Sequence, residues 1–218
     1  MKKIPPKPQK TQERIVETAL ILFNEYGADN VSTRQIASAM GIAQGNLSYH
    51  FPRKEDIIAA LYDRLVATLS ASISEMETRV VEYGDLSVVL ESVTTTFSIL
   101  YEYKFFMLDF VSIMRNNPTI KKHYQELQTM RRQQFAGVRA LMIQKGWMKK
   151  ELMEQFDTEI DELMQIVGDF WISSAEILYQ GKEKDKLAHY TRIFSVIIAP
   201  YLTPKGMKEF QNMSHSEA

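Results

Sequence analysis

From Thr11 to Leu202 the apolar residues of this chain return every three or four positions, and nine glycines and seven prolines are all that interrupt 218 residues. That interval gathers apolar side chains on one face of a helix, and the scarcity of turn residues argues against hairpins. The chain is therefore predicted to be all-α. A first helix starts near Thr11, with Ile15, Ala19, Leu22, Phe23 and Tyr26 on its buried face, and ends at Gly27. Thr11 is a candidate N-cap with an incomplete capping box, because Arg14 stands where an acid or amide is wanted. Ser32 caps a short helix that runs through Met40 and stops at Gly41, and a third short helix covers Gln44 to His50. A long fourth helix follows from Lys54, with Ile57, Leu61, Leu65, Leu69, Ile73 and Met76 on one stripe.

Tyr83-Gly84-Asp85 breaks the pattern. Beyond it the spacing predicts a fifth helix to Tyr103, a sixth over Phe106 to Arg115, and a seventh from Asn117-Pro118 to Gly146. Two more follow, Thr158 to Gln180 and Lys184 to Leu202. The linear division is a flexible basic arm over 1–10, a small helical domain over 11–56, a larger one over 57–204, and a polar, flexible tail over 205–218.

The formal net charge of -1 gives no whole-chain attraction for nucleic acid. Residues 1–65, however, carry nine Lys/Arg against seven Asp/Glu, or +2, which leaves -3 for the remainder. The absence of cysteine removes disulfides, thiolate metal sites and a thiol nucleophile, and fits a reducing cytoplasm. The start, MKKIPPKPQK, has a signal peptide's charge without its apolar run, and no uninterrupted apolar stretch has the length of a membrane span. Motifs for a zinc hydrolase, a di-iron bundle, a serine hydrolase or a phosphate-cradling loop are missing, and His50, His123, His189 and His215 share no ligand spacing. No enzyme activity, cofactor or metal is expected.

The informative stretch is STRQIASAMGIAQGNLSYHFPRKEDI, Ser32 to Ile57. Two helices of about seven residues around a glycine turn have the size of a helix-turn-helix. Ile36, Ala37, Met40, Ile42, Leu47 and Phe51 are predicted inward, with Arg34, Gln44, Asn46, Ser48 and Tyr49 outward. Arg can pair bidentately with guanine and Gln or Asn with adenine, while Thr33, Tyr49, His50 and Lys54 carry donors suited to phosphate oxygens. No Asp or Glu occurs between Asp29 and Glu55, so nothing on this face would repel a phosphate.

Over Thr11 to Leu65 the chain resembles the DNA-binding domain of the TetR/AcrR family of bacterial transcriptional repressors. The residues that carry the resemblance are Thr33-Arg34, Ile36-Ala37, Gly41-Ile42, Gly45, Leu47, Tyr49-His50-Phe51 and Lys54-Glu55. It implies base contacts from Arg34, Gln44, Gly45 and Asn46, and phosphate contacts from Thr33, Ser48, Tyr49, His50 and Lys54. Two positions depart from the family pattern: Ala43, where a capping Ser or Thr is usual, and Ser48, where Tyr is usual. The resemblance also implies that 11–56 is a three-helix DNA-binding domain, joined by the long fourth helix to a helical domain for dimerisation and effector binding. The partners expected are a palindromic double-stranded operator, a second copy of the chain and a small hydrophobic effector, with no membrane. The alternative reading is a helical dimeric adaptor that binds protein and not DNA.

The last two predicted helices are apolar on more than one face, a surplus that an intermolecular four-helix bundle would bury. Trp171, Tyr190, Phe194 and Ile197 are the expected dimer contacts. Phe97, Tyr101, Phe105, Phe110, Phe135 and Phe170 are the candidate lining of an effector pocket, against the alternative that such a stripe is ordinary core. The fourth helix, roughly 25 residues at about 1.5 Å each, offers a lever from that domain to the DNA.

Overall fold

The computed structural model describes residues 11–83 and 86–214, with backbone alone for 153, 154 and 212–214. The expected arm over 1–10 and the break at 84–85 lie outside the described residues. The helices are α1 (Thr11–Tyr26), α2 (Thr33–Ala39), α3 (Gln44–His50), α4 (Lys54–Tyr83), α5 (Leu86–Glu102), α6 (Lys104–Leu108), α7 (Phe110–Asn116), α8 (Pro118–Gln144), α9 (Lys150–Leu178), α10 (Glu183–Val196) and α11 (Pro204–Ser214). A 3₁₀ turn, Ala199–Tyr201, precedes α11. The described residues hold no strand, only an isolated antiparallel bridge between Met148 and Leu202.

The chain forms two compact units, one of residues 1–65 and 103–120, the other of 66–102 and 121–218. Contacts thus divide the chain differently from the linear expectation. The first unit keeps α4 as far as Leu65 and takes in α6 and α7, so the chain crosses between units three times. By length and composition α4 is also apolar enough to cross a membrane, but its stripe of Ile57, Leu61, Leu65, Leu69, Ile73 and Met76 is buried protein core.

In the first unit α1 buries Ile15, Val16, Ala19, Leu20 and Phe23. Leu22 is half-buried and Tyr26 is 53% exposed, so the inward stripe lies one position away from the expected one. Successive pairs (15 and 16, 19 and 20) sit side by side at 3.6 residues per turn, and 22 and 26 fall outside that arc. Gly27 ends the helix at φ +80°, a left-handed conformation that costs glycine nothing. A full capping box opens α2, with Gln35 N–H donating to Ser32 Oγ at 3.3 Å and Ser32 N–H donating to Gln35 Oε1 at 2.8 Å. Phe105 of α6 packs on Phe23 of α1 at 5.2 Å between ring centroids, and Phe106 stacks on Tyr62 of α4 at 5.4 Å. Burying such rings supplies about 1.5–3 kcal/mol each, which is why a segment distant in sequence closes this core.

In the second unit α5 packs against α10 and α11. Around it Leu86, Leu90, Met142, Trp147, Ile160 and Leu202 form one buried cluster, and Ile73, Met76, Val80 and Val88 another. Helix α9 begins at Lys150, earlier than the expected Thr158, and is kinked at Phe156 (φ -130°, ψ 19°). The expected sixth helix is two short ones joined at Asp109, and the expected ninth stops at Val196.

The tail expected to be flexible is helical as far as Ser214. Thr203 Oγ1 accepts from Gly206 N–H at 3.1 Å in the manner of an N-cap, Trp147 Nε1–H donates to Glu209 at 3.0 Å, and Met207 and Phe210 pack on the Leu86 cluster.

Candidate nucleic-acid interface

Helices α2 and α3 pack on each other and α2 on α1. Ile36, Ala37, Leu47 and Phe51 are buried as expected, while Met40 and Ile42 are half-buried. With Leu47 fixed inward, the remaining α3 side chains are aimed by the helical period. Arg34, Gln44, Gly45, Asn46 and Tyr49 are exposed, and Thr33, Ser48 and His50 are half-buried. Tyr49 is 83% exposed, far beyond what a packed tyrosine shows, and its ring stands edge-on to His50 at 5.2 Å. The exposed set is rich in donors and lacks a carboxylate, which suits a groove lined by phosphates. Ala43 occupies the N-cap of α3 without a side-chain bond, so the orphan N–H groups of that first turn have no cap from it.

Arg53, absent from the candidate set, belongs beside it. Its guanidinium is exposed, its Nη2 donates to Asp56 Oδ1 at 3.0 Å, and its backbone N–H donates to Asp56 Oδ2 at 2.9 Å. These bonds hold the Asp56 carboxyl below its ordinary value and raise the already high value of Arg53. A groove of about 330 Å³ is lined by Asp29, Asn30, Ser32, Thr33, Arg53 and Lys54 among others. A basic residue in the turn that leads into α4 was the available signal for Arg53.

Lys54 is tied into the fold. Its Nζ donates to the Ala28 carbonyl at 2.6 Å in a partly buried setting, so at least one of its donors serves the protein's own backbone.

The other candidate sites regroup. Phe105 and Phe110 belong to the first unit, whereas Phe97, Tyr101, Phe135 and Phe170 belong to the second. Phe105 and Phe97 are fully buried, Phe135 is 38% exposed, and Phe170 is exposed on α9. Of the expected dimer contacts, Trp171 and Tyr190 are buried within the protomer, and Phe194 and Ile197 are half-buried. The apolar side chains that α9 and α10 leave exposed include Leu163, Ile166, Phe170, Ile177, Ile193 and Val196. A groove of about 680 Å³ runs among Ile166, Val167, Phe170, Trp171, Tyr190 and Ile193. Periodicity finds both faces of such a helix but cannot say which one its own protomer covers.

Among the described residues no group of three or more His, Asp or Glu could hold a metal ion.

Two family profiles match the chain. The one described as bacterial regulatory proteins, tetR family, covers residues 15–61, and the one described as bacterial transcriptional repressor covers residues 64–210. Among curated proteins the chain is 35% identical over 74 residues to the nucleoid occlusion factor SlmA of Haemophilus ducreyi, which is 33% of this chain and 37% of that protein. It is 28% identical over 85 residues to the probable HTH-type transcriptional regulator YttP of Bacillus subtilis, 37% of this chain and 41% of that one. The chain thus spans well under half the length of these relatives. A crystal structure of a TetR-family transcriptional regulator from Marinobacter aquaeolei VT8 superimposes with a TM-score of 0.80 at 24% identity, covering 95% of this chain and 98% of the other, which establishes the shared fold.

Proposed function

Because the chain belongs to the TetR family of DNA-binding bacterial transcriptional regulators, we propose that it is a cytoplasmic, ligand-responsive repressor that binds a palindromic operator as a homodimer. The observation that carries this reading is the α3 surface, where Gln44, Gly45, Asn46 and Tyr49 are exposed around a buried Leu47, on a stretch without a carboxylate. Arg34, Gln44, Gly45 and Asn46 contact base edges, and Thr33, Ser48, Tyr49 and His50 contact phosphates. Arg53 joins the phosphate set when operator charge competes with Asp56.

The homodimer uses the apolar face of α9 and α10 around Ile166, Phe170 and Ile193, which would otherwise stay in water. A two-fold axis then relates two recognition helices that meet successive major grooves about 34–36 Å apart, so the operator is palindromic. The effector is a small hydrophobic molecule taken up by the second unit, and its binding weakens that of DNA. Coupling of this kind is reciprocal, so operator lowers effector affinity by the same factor, typically about 1–3 kcal/mol.

Selection of random duplex DNA by the purified protein, repeated at two salt concentrations, tests this. Palindromic sites whose binding falls steeply with salt are expected. Failure to enrich any duplex would favour a protein-binding adaptor instead.

A further inference from the structure

The turn between α1 and α2 is held by a residue 81 positions away in sequence. Asp109 stands at the junction of α6 and α7, where an aspartate ordinarily caps the helix that follows it. It makes no such cap bond. Its Oδ2 accepts instead from the backbone N–H of Ala28 at 2.9 Å and lies close over Gly27, at 3.8 Å from where a Cβ would stand. The carbonyl of the same Ala28 accepts from Lys54 Nζ at 2.6 Å, and Ala28 itself is buried. A carboxylate and an ammonium therefore grip both polar groups of one buried residue, four positions before the Ser32 cap of α2. The same two segments are tied a second time, since Phe105 N–H, in the first turn of α6, donates to Asn24 Oδ1 of α1 at 3.0 Å.

We infer that Asp109 and Lys54 are positioning residues for DNA binding: by bracketing Ala28 they fix where α2 starts, and so the angle at which α2 and α3 present Arg34, Gln44 and Asn46. Neither group needs to touch DNA for this. Asp109 lies on a segment, 103–120, that is continuous in sequence at both ends with the second unit. Lys54 thereby differs from a lysine whose whole task is to neutralise a phosphate. Charged hydrogen bonds of this kind are the stronger ones, and leaving the buried Ala28 N–H without an acceptor costs more than an ordinary bond is worth.

This inference rests on the reading of the first unit as the DNA-binding one, and the test separates the two. Full-length wild type, Asp109→Ala, Asp109→Asn and Lys54→Met are titrated against the duplex selected by wild type, over a range of salt, with circular dichroism and gel filtration as controls. Amide exchange at Ala28 is measured without DNA. The expected result for Asp109→Ala is a loss of about ten-fold or more on every sequence, with Ala28 exchanging faster and the salt slope unchanged. Asp109→Asn keeps an acceptor of the same shape and should stay within about three-fold of wild type. Lys54→Met should weaken binding on every sequence and speed amide exchange at Ala28, a readout that loss of a phosphate contact alone would not move. Wild type that binds while Asp109→Ala binds equally, unchanged Ala28 exchange in Lys54→Met, or equal losses in Asp109→Ala and Asp109→Asn would each overturn the positioning role. Wild type that selects no duplex would overturn the DNA-binding reading beneath it.

Discussion

Trp171 lies face to face with Phe97, the ring centroids 4.7 Å apart and the planes 4° from parallel. Tyr101 and Tyr190 close on the same indole at 5.9 Å and 5.5 Å. Such a stack, 3% exposed at its centre, is core of a single protomer, and a charge placed there would unfold the second unit before it could report on any partner.

The dimer is therefore tested one step further out. Ile166 and Ile193 are 51% and 45% exposed, so Ile166→Asp or Ile193→Asp should leave the protomer folded, with unchanged helical circular dichroism. In an interface the same carboxylate is desolvated without a partner, at a cost of several kcal/mol. Gel filtration should then show a monomer, and operator binding should fall with it. A folded variant that stays dimeric at micromolar concentration would place the interface elsewhere.

Glycine substitutions should separate a docked helix from an open one. A Cβ on Gly206 would run into the Trp147 carbonyl, an oxygen already fixed by Thr203 N–H at 2.9 Å. Gly206→Ala is expected to cost about 1–3 kcal/mol as the two backbones are forced apart. Gly137, inside α8, has open space around its missing Cβ, and Gly137→Ala should stabilise by about 0.5–1 kcal/mol through helix propensity. Denaturant titration measures both, and equal effects would mean that α11 does not dock on Trp147.

These contrasts also mark what the sequence could carry. Gly27, Gly41 and Gly146 were readable as helix stops, and all three adopt positive φ, because a left-handed residue is a local demand that local chemistry must meet. The inward and outward sets of α2 and α3 were readable for the same reason, since one buried Leu47 fixes the rest by periodicity. Asp109 was not, because its partner Ala28 lies 81 residues away and nothing near Asp109 announces the bond. Nor is the Lys54 bond legible: its place at the start of α4 suggests a phosphate, and nothing local shows that a backbone carbonyl brought in by the fold takes one of its donors. Helix α11 is illegible locally because its composition is polar and the groups that seat Met207, Glu209 and Phe210 lie far away in sequence.

Asp169 offers a prediction in pH. Burial raises its carboxyl above the ordinary value, against the pull of the Tyr124 hydroxyl that donates to it and of Gln165 and Arg131 nearby. Burial likewise pushes the Tyr124 phenol up. An acid with a raised folded value binds its proton more tightly folded than unfolded, so stability is lost as pH rises from the unfolded value through the folded one. Asp169→Asn keeps an acceptor for Tyr124 and removes the titration. The variant should melt above wild type at pH 7, and the gap should close as pH falls toward 4. A variant that melts lower at pH 7 would show that the charge, through Arg131, outweighs its burial.

Base reading and anchoring should separate on the recognition helix. Gln44 is exposed in the first turn of α3, where an amide can meet adenine bidentately, so Gln44→Ala should cost about 1–3 kcal/mol on the selected operator and relax the preference at one position of each half-site. Arg34, exposed on α2, should behave alike at another position. The Tyr49 hydroxyl can serve only as a neutral donor to a phosphate, so Tyr49→Phe should weaken all sequences alike, by about 1 kcal/mol, with the base preference intact. Competition binding against a panel of single-base operator variants distinguishes the two kinds of loss. If Tyr49→Phe changed the preferred base while Gln44→Ala weakened every duplex equally, the two roles would be exchanged, and α3 would enter the groove turned about its axis from the orientation proposed.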